Sequence, residues 1–382
     1  MKQSSKFMLV ATLASSLILA ACAQPATGPA TPQPPQVPAA EEKPTQSAPT
    51  TKLRAKLVLN GTLGDKSFFD SAQRGMDMMK NELGWETKTI ECTYDRNKWL
   101  PCLEDAAATD DYDVLIAGTF DMSDYISQVA PKYPNKKFWM FDAGPDYEGT
   151  SGGCSNKCEN VYTVLFRQNE GSYLLGVLAA NMLKSKALPN IKDDSKIGII
   201  GGMDIPVIND FIVGFKQGMK DAGVDPEAHT IVQYVGGDNP WNNPAKGKEI
   251  ALSMFNQGAA VVWGVAGNSG SGAFEAAVEA KAFTFGVDSD QYFTIADPAQ
   301  RQTIVTSMLK NVDQGLFRAA KLHLEGKLGY GAPEPVGVAV DAVGVAVNEN
   351  TQKLLGADIL KAVQDAAQAI KDGKVTVDTA FK

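Results

Sequence analysis

The sequence predicts an α/β protein of two doubly wound lobes, and two stretches carry that prediction. Residues 196–218, KIGIIGGMDIPVINDFIVGFKQG, place an apolar run between glycines, then a short polar loop, then apolar residues at helical spacing through Phe211, Phe215 and Met219. Residues 55–79, AKLVLNGTLGDKSFFDSAQRGMDMM, repeat this strand, turn and helix, again with an aromatic where the helix opens. A chain of 382 residues has room for two such lobes. In open α/β sheets ligands settle outside the carboxyl ends of the strands, so the loops after both starts are expected to face one cleft.

In the first lobe the pattern gives strand AKLVLN, a helix over about 69–83, strand TKTIEC, a helix near 100–108, and strand DVLIAG ending at Gly118. A helix over 123–129 follows, then strand KKFWMFDAG and the aromatic, β-branched run VYTVLFRQ. Residues 170–183, EGSYLLGVLAANML, read as a long apolar helix leading into the second lobe. Its strands are KIGIIGG, TIVQYVGG, AAVVWGVAG and AFTFGVD, with helices over 244–255 and 273–280. Beyond Asp288 come strand TIVTSMLK, a helix near 315–325, then VGVAVDAVGVAVN, read as two strands turning through Asp341, and a closing helix over about 361–371. Strands alternating with helices imply mostly parallel sheets with right-handed crossovers.

A 44% hydrophobic and 21% charged composition is that of a soluble globular protein, and the formal net charge of -8 argues against nucleic acid as partner. The amino terminus, MKQSSKFMLVATLASSLILAAC, has a basic start and an apolar run too short for a comfortable membrane span. It closes on Leu19-Ala20-Ala21-Cys22, which resembles the bacterial lipobox. Residues 1–22 are therefore expected to be a lipoprotein signal peptide, with Cys22 as the lipidated residue after cleavage. Residues 23–51 are dense in proline and nearly free of large apolar side chains, and are expected to form a disordered tether.

Four further cysteines suit disulfides in an exported chain. Proximity favours Cys92 with Cys102 and Cys154 with Cys158 among three connectivities. The CxxC pairs that structural zinc prefers are missing, so no metal is expected.

The sequence has no GxSxG elbow and no HExxH, and His229 and His323 both read as surface residues. Asp288 with Asp290 is the carboxylate pair that acid–base or metal chemistry would use. The loop Gly267–Gly272 follows a strand and precedes a helix, but its glycine spacing departs from GxGxxG and no Walker lysine follows. What recurs is an aromatic just after a strand-end loop in each half, Phe68 with Phe69 and then Phe211. Two such rings could clasp a flat heterocycle or could simply begin the cores of their helices. Asp121, Asp288 and Lys310 stand near strand ends, where they could reach the polar edges of such a guest.

The segments DKSFFD (65–70), KIGIIGG (196–202), 206–214, the loop 267–272, GVDSDQ (286–291) and TSMLKNVD (306–313) together resemble the basic membrane protein family from about residue 56 to the end. These are lipoprotein solute receptors of bacterial ABC transporters, and one branch binds purine nucleosides. The resemblance implies the type I periplasmic-binding-protein fold, two Rossmann-like lobes joined by three crossovers with the ligand between them. It implies Phe68 and Phe211 on the two faces of a base, Asp121 at its edge, Asp288 and Lys310 on the ribose, and Gly267 and Gly270 on the sugar side. Asn60 stands where the family leads one to expect an acid, and Phe69 where it usually has an amide. The loss of the amide at Phe69 bears on which base is preferred, or on whether another flat ligand replaces the nucleoside.

The expected lobes are residues 52–168 with about 289–318, and 169–288 with about 319–382. The expected function is that of a monomeric, lipid-anchored receptor on the extracytoplasmic face of the cell membrane, which delivers a nucleoside to a membrane permease. It would use no cofactor and no catalytic residue. The alternatives are a sugar-like or aromatic solute in the same receptor class, a receptor that signals to a sensor, or an extracellular nucleoside-processing enzyme.

Overall fold

The computed structural model describes residues 52–149 and 153–381. The expected signal peptide, Cys22 and the expected tether lie outside the described residues. Two six-stranded sheets form the frame. The first takes β1 Arg54–Leu59, β2 Glu86–Glu91, β3 Val114–Gly118, β4 Lys137–Phe141 and β5 Val161–Phe166, and the second takes β6 Lys196–Gly201, β7 Thr230–Tyr234, β8 Ala259–Val265, β9 Phe283–Asp288 and β10 Ile304–Lys310. β11, Ala332–Val336, returns to the first sheet and β12, Val343–Val345, to the second, so the orders are β11-β5-β4-β3-β1-β2 and β12-β10-β9-β8-β6-β7. All pairings are parallel except β10 with β12. Helices cover both faces of the inner strands, which is why β3 and β8 are apolar and buried at every position.

In each sheet the chain starts one strand in from an edge, at β1 or β6, adds the edge strand and then builds out on the other side. The topological switch points thus fall between β1 and β3 and between β6 and β8, and the loops leaving these strands open the crevice. α1, Phe68–Leu83, leaves β1; α2, Arg96–Ala107, leaves β2; α3, Ser123–Val129, follows β3; α4, Gln168–Ser185, opens the second lobe; and α5, Pro206–Asp221, leaves β6. α4 is buried along nearly its whole length against α5, where Gly218 lets the backbones approach too closely for a side chain. Among the described residues no helix is long and apolar enough to cross a membrane.

The lobe boundaries differ from expectation. β10 lies in the second sheet between β9 and β12, so residues 304–310 do not join the first lobe. The helix Val312–Leu324 packs on α1, and β11 pairs with β5, which returns residues 312–336 to the first lobe instead. The chain crosses three times, at Arg167, Asn311 and Gly337, each within a residue or so of a strand end. Crossovers this short carry no linker composition and leave no mark in the sequence. The hairpin expected through Asp341 is likewise absent: Val338–Val340 is a single helical turn, and the strands on either side belong to different sheets. β11, APEPV, escaped notice because two prolines disguise it. They are tolerated at the sheet edge, where an N–H facing solvent is not missed.

Neither histidine is a plain surface residue. His323 meets Trp85 and Trp139 edge-on and shares a hydrogen bond of 3.0 Å with the Tyr330 hydroxyl, while the His229 ring meets the Ser195 carbonyl at 2.8 Å. The structure pairs Cys92 with Cys102 and Cys154 with Cys158.

Candidate functional site

One cavity lies at the carboxyl ends of both sheets and is lined from both lobes. On the first lobe its wall begins with Asn60, directly after β1. Asp65 then accepts from the amides of Phe69, Ser67 and Asp70 at 2.8, 3.0 and 3.1 Å, satisfying the open donors at the start of α1. That cap makes α1 begin at Phe68, and Phe68 faces the cavity while packing on Phe141 with ring centroids 5.4 Å apart. Phe69 lines the cavity too, but its ring lies over Gly61.

The opposing wall comes from α5, where Phe211 is buried and meets Trp263 edge-on at 6.0 Å. The Lys310 ammonium, at the end of β10, lies 5.3 Å from the Phe68 centroid and 5.2 Å from that of Phe211. Two rings from different lobes thus line one cavity and stand within cation–π range of the same nitrogen.

The rims are polar. Asp288, closing β9, accepts from the Ser67 hydroxyl at 2.5 Å, a bond between the lobes. Its complete burial pushes the carboxyl up to about 7. Lys310 is ion-paired with Asp142 at the end of β4, also between lobes. Burial pulls its ammonium down, towards about 7, and the touching carboxylate opposes that by favouring the charged form. At the other end Asp121 is paired with Arg96 at 2.8 Å; burial raises its carboxyl and the guanidinium offsets part of the rise. The Asn60 amide donates to the Thr119 hydroxyl at 2.9 Å, and its buried oxygen has no partner among the described residues. A buried acceptor left open at a cavity wall is worth a hydrogen bond to any donor that enters.

The backbone at these strand ends is unusual. Thr119, Asp142 and Asp288 have φ of 79°, 74° and 62°, values that cost a non-glycine residue on the order of 1 kcal/mol or more. All three side chains belong to the cavity wall.

Of the residues singled out in the sequence, Asn60, Phe68, Phe69, Asp121, Phe211, Gly267, Asp288 and Lys310 meet at this cavity. Gly270 does not: it backs onto β8, where a Cβ would stand 2.7 Å from the Gly264 carbonyl, so packing accounts for it. Asp290 is also turned away. It accepts from the Asn348 amide at 2.9 and 3.0 Å and caps the turn Gln291–Thr294. Sequence reading missed Asp142, Tyr94, Thr119 and Trp241. Asp142 stood in plain view at the end of FWMFDAG, in a position equivalent to Asp288. Nothing near Trp241 signals its place, which follows from its ring lying against Gly202.

Residues 52–378 match the family model described as ABC transporter substrate-binding protein, PnrA-like. The chain is 28% identical to an uncharacterized lipoprotein of Pyrococcus abyssi, with 86% of each chain covered. It is also 28% identical to the ABC transporter nucleoside-binding protein BmpA of Lactococcus lactis, over 86% of this chain and 89% of that one. Among solved structures, an ABC transporter solute-binding protein from Aeropyrum pernix superposes with a TM-score of 0.72 at 26% identity, covering 86% of this chain and 94% of its own. Two parallel α/β sheets, three crossovers and a cleft at the strand ends agree with these likenesses, and the chain belongs to the PnrA-like family of ABC transporter substrate-binding proteins.

Proposed function

We propose that the protein captures a nucleoside, with a purine base fitting best, and hands it to a membrane permease. The single observation that carries this reading is the pair Phe68 and Phe211, contributed by opposite lobes to one cavity and both close to the Lys310 ammonium. A flat heterocycle between them gains two stacked faces when the lobes close, which gives hinge closure a differential contact to run on. Asp121 and the open oxygen of Asn60 then address donors at the base edge, and Asp288 with Lys310 addresses sugar hydroxyls. The name of the Lactococcus relative supports the same ligand class.

A base seated against both rings displaces the Lys310 ammonium from its place beside their faces, and a ribose at the rim offers it new acceptors beside Asp142. Binding is followed by release rather than turnover, and the receptor works as a monomer held to the outer face of the membrane through Cys22. Calorimetry with adenosine, guanosine, inosine and cytidine tests the ligand. Heat saturating at one site per chain is expected, and no heat with any of the four overturns the nucleoside reading.

A further inference from the structure

The cavity has a third wall that belongs to neither aromatic face. It is the loop from β2 into α2, closed into a ring by the bond between Cys92 and Cys102, ten residues apart. Cys92 is buried and its amide donates to the Leu59 carbonyl at 2.8 Å, so one end of the ring is tied to the end of β1. The next residue, Thr93, has φ of 62°, a left-handed conformation that a β-branched side chain resists. Its carbonyl is held by the buried Trp99 indole at 2.8 Å.

That forced turn throws Tyr94 into the cavity, its ring close enough to Gly61 that a Cβ there would lie 3.0 Å away. Asp95 then caps α2 by accepting from the Asn97 amide at 3.1 Å, and Arg96 lies over the Trp99 ring with its guanidinium 2.8 Å from Asp121. Within three residues the loop thus supplies an aromatic at the cavity wall and the counter-ion of the carboxylate at the base-edge end. A left-handed threonine followed by two outward-reaching side chains has no reason to hold still unless both ends of the loop are tied. The strand hydrogen bond ties one end, and the bridge into α2 ties the other.

We propose that Tyr94 and Arg96 form a specificity-determining wall at the base-edge end of the site and that the Cys92–Cys102 bridge is its positioning element. The inference rests on the nucleoside reading above. Tyr94 limits the width of the ring system that fits beside Phe68 and Phe69, and Arg96 sets how strongly Asp121 accepts from the base. Without the bridge the two side chains must be immobilised anew at each binding event, which weakens affinity roughly tenfold.

A double-mutant cycle tests this, read by calorimetry with adenosine, guanosine, inosine and cytidine and checked by thermal unfolding. Cys92→Ser with Cys102→Ser is expected to bind the preferred nucleoside roughly tenfold more weakly than the wild type. Tyr94→Ala is expected to cost a similar factor with the bridge present and much less without it, whereas Tyr94→Phe keeps affinity. Equal losses for Tyr94→Ala in both backgrounds, or wild-type affinity in the double-serine variant, overturn the proposal while leaving the nucleoside reading intact. Should the double-serine variant fail to fold, Tyr94→Ala and Arg96→Ala decide with the bridge in place: an unchanged ranking of the four nucleosides overturns the wall. No heat from the wild type with any of them overturns the nucleoside reading and the wall with it.

Discussion

Replacing Phe68 by alanine is expected to remove one face of the proposed slot, together with its packing on Phe141. Its residue is only half-buried, stands at the first position of α1 and is not itself the helix cap, which Asp65 provides. Stacking of a base on an aromatic side chain is worth about 1–3 kcal/mol, so the loss corresponds to a dissociation constant roughly five- to a hundredfold larger. Phe68→Leu separates the two contributions to that loss. Leucine keeps much of the apolar area but has no π face, and is expected to recover part of the binding and nearly all of the stability. The assay is calorimetry with the preferred nucleoside alongside a thermal melt of each variant. Wild-type affinity in Phe68→Ala with a melting temperature lowered by several degrees would mean that the ring is a core residue and that no slot exists.

Other perturbations probe the rims. Burial raises the Asp288 carboxyl to about 7, above its unfolded value near 4, so the folded state holds a proton that the unfolded chain has already lost across that window. This group therefore destabilises the fold progressively as pH rises from about 4 to about 7. Asp288→Asn, whose amide oxygen still accepts from Ser67, should melt higher than the wild type at pH 7.5 and by a smaller margin at pH 5, yet bind nucleoside more weakly; equal margins at both pH values refute the assignment. Asp290→Ala should leave affinity unchanged and lower stability by about 1 kcal/mol in denaturant titrations, since its carboxylate serves a cap and Asn348. Cys22→Ser should move the protein from the membrane to the soluble fraction of fractionated cells, and retention at the membrane refutes lipid anchoring through that residue.

Much of the site was legible because its chemistry is local. DKSFFD and PVINDF announce a loop and a helix start with aromatics in view, and Asp288 closes the strand-like run AFTFGVD. Gly270 misled for the converse reason: a glycine required by the approach of another backbone looks no different from one that makes way for a ligand. Asp142 and Tyr94 went unread because their importance lies in what stands opposite them, Lys310 on the other lobe in one case and the end of β1 in the other.

Hydrophobic periodicity pointed to two α/β lobes with mostly parallel strands, because each element must bury its own apolar side whatever the rest of the chain does. Which lobe claimed residues 304–336, which carboxylates face the cavity, and the ion pair between Lys310 and Asp142 were decided only by tertiary structure. The return of residues 312–336 to the first lobe and the Lys310–Asp142 pair depend on contacts between residues more than a hundred positions apart, which no window along the chain contains.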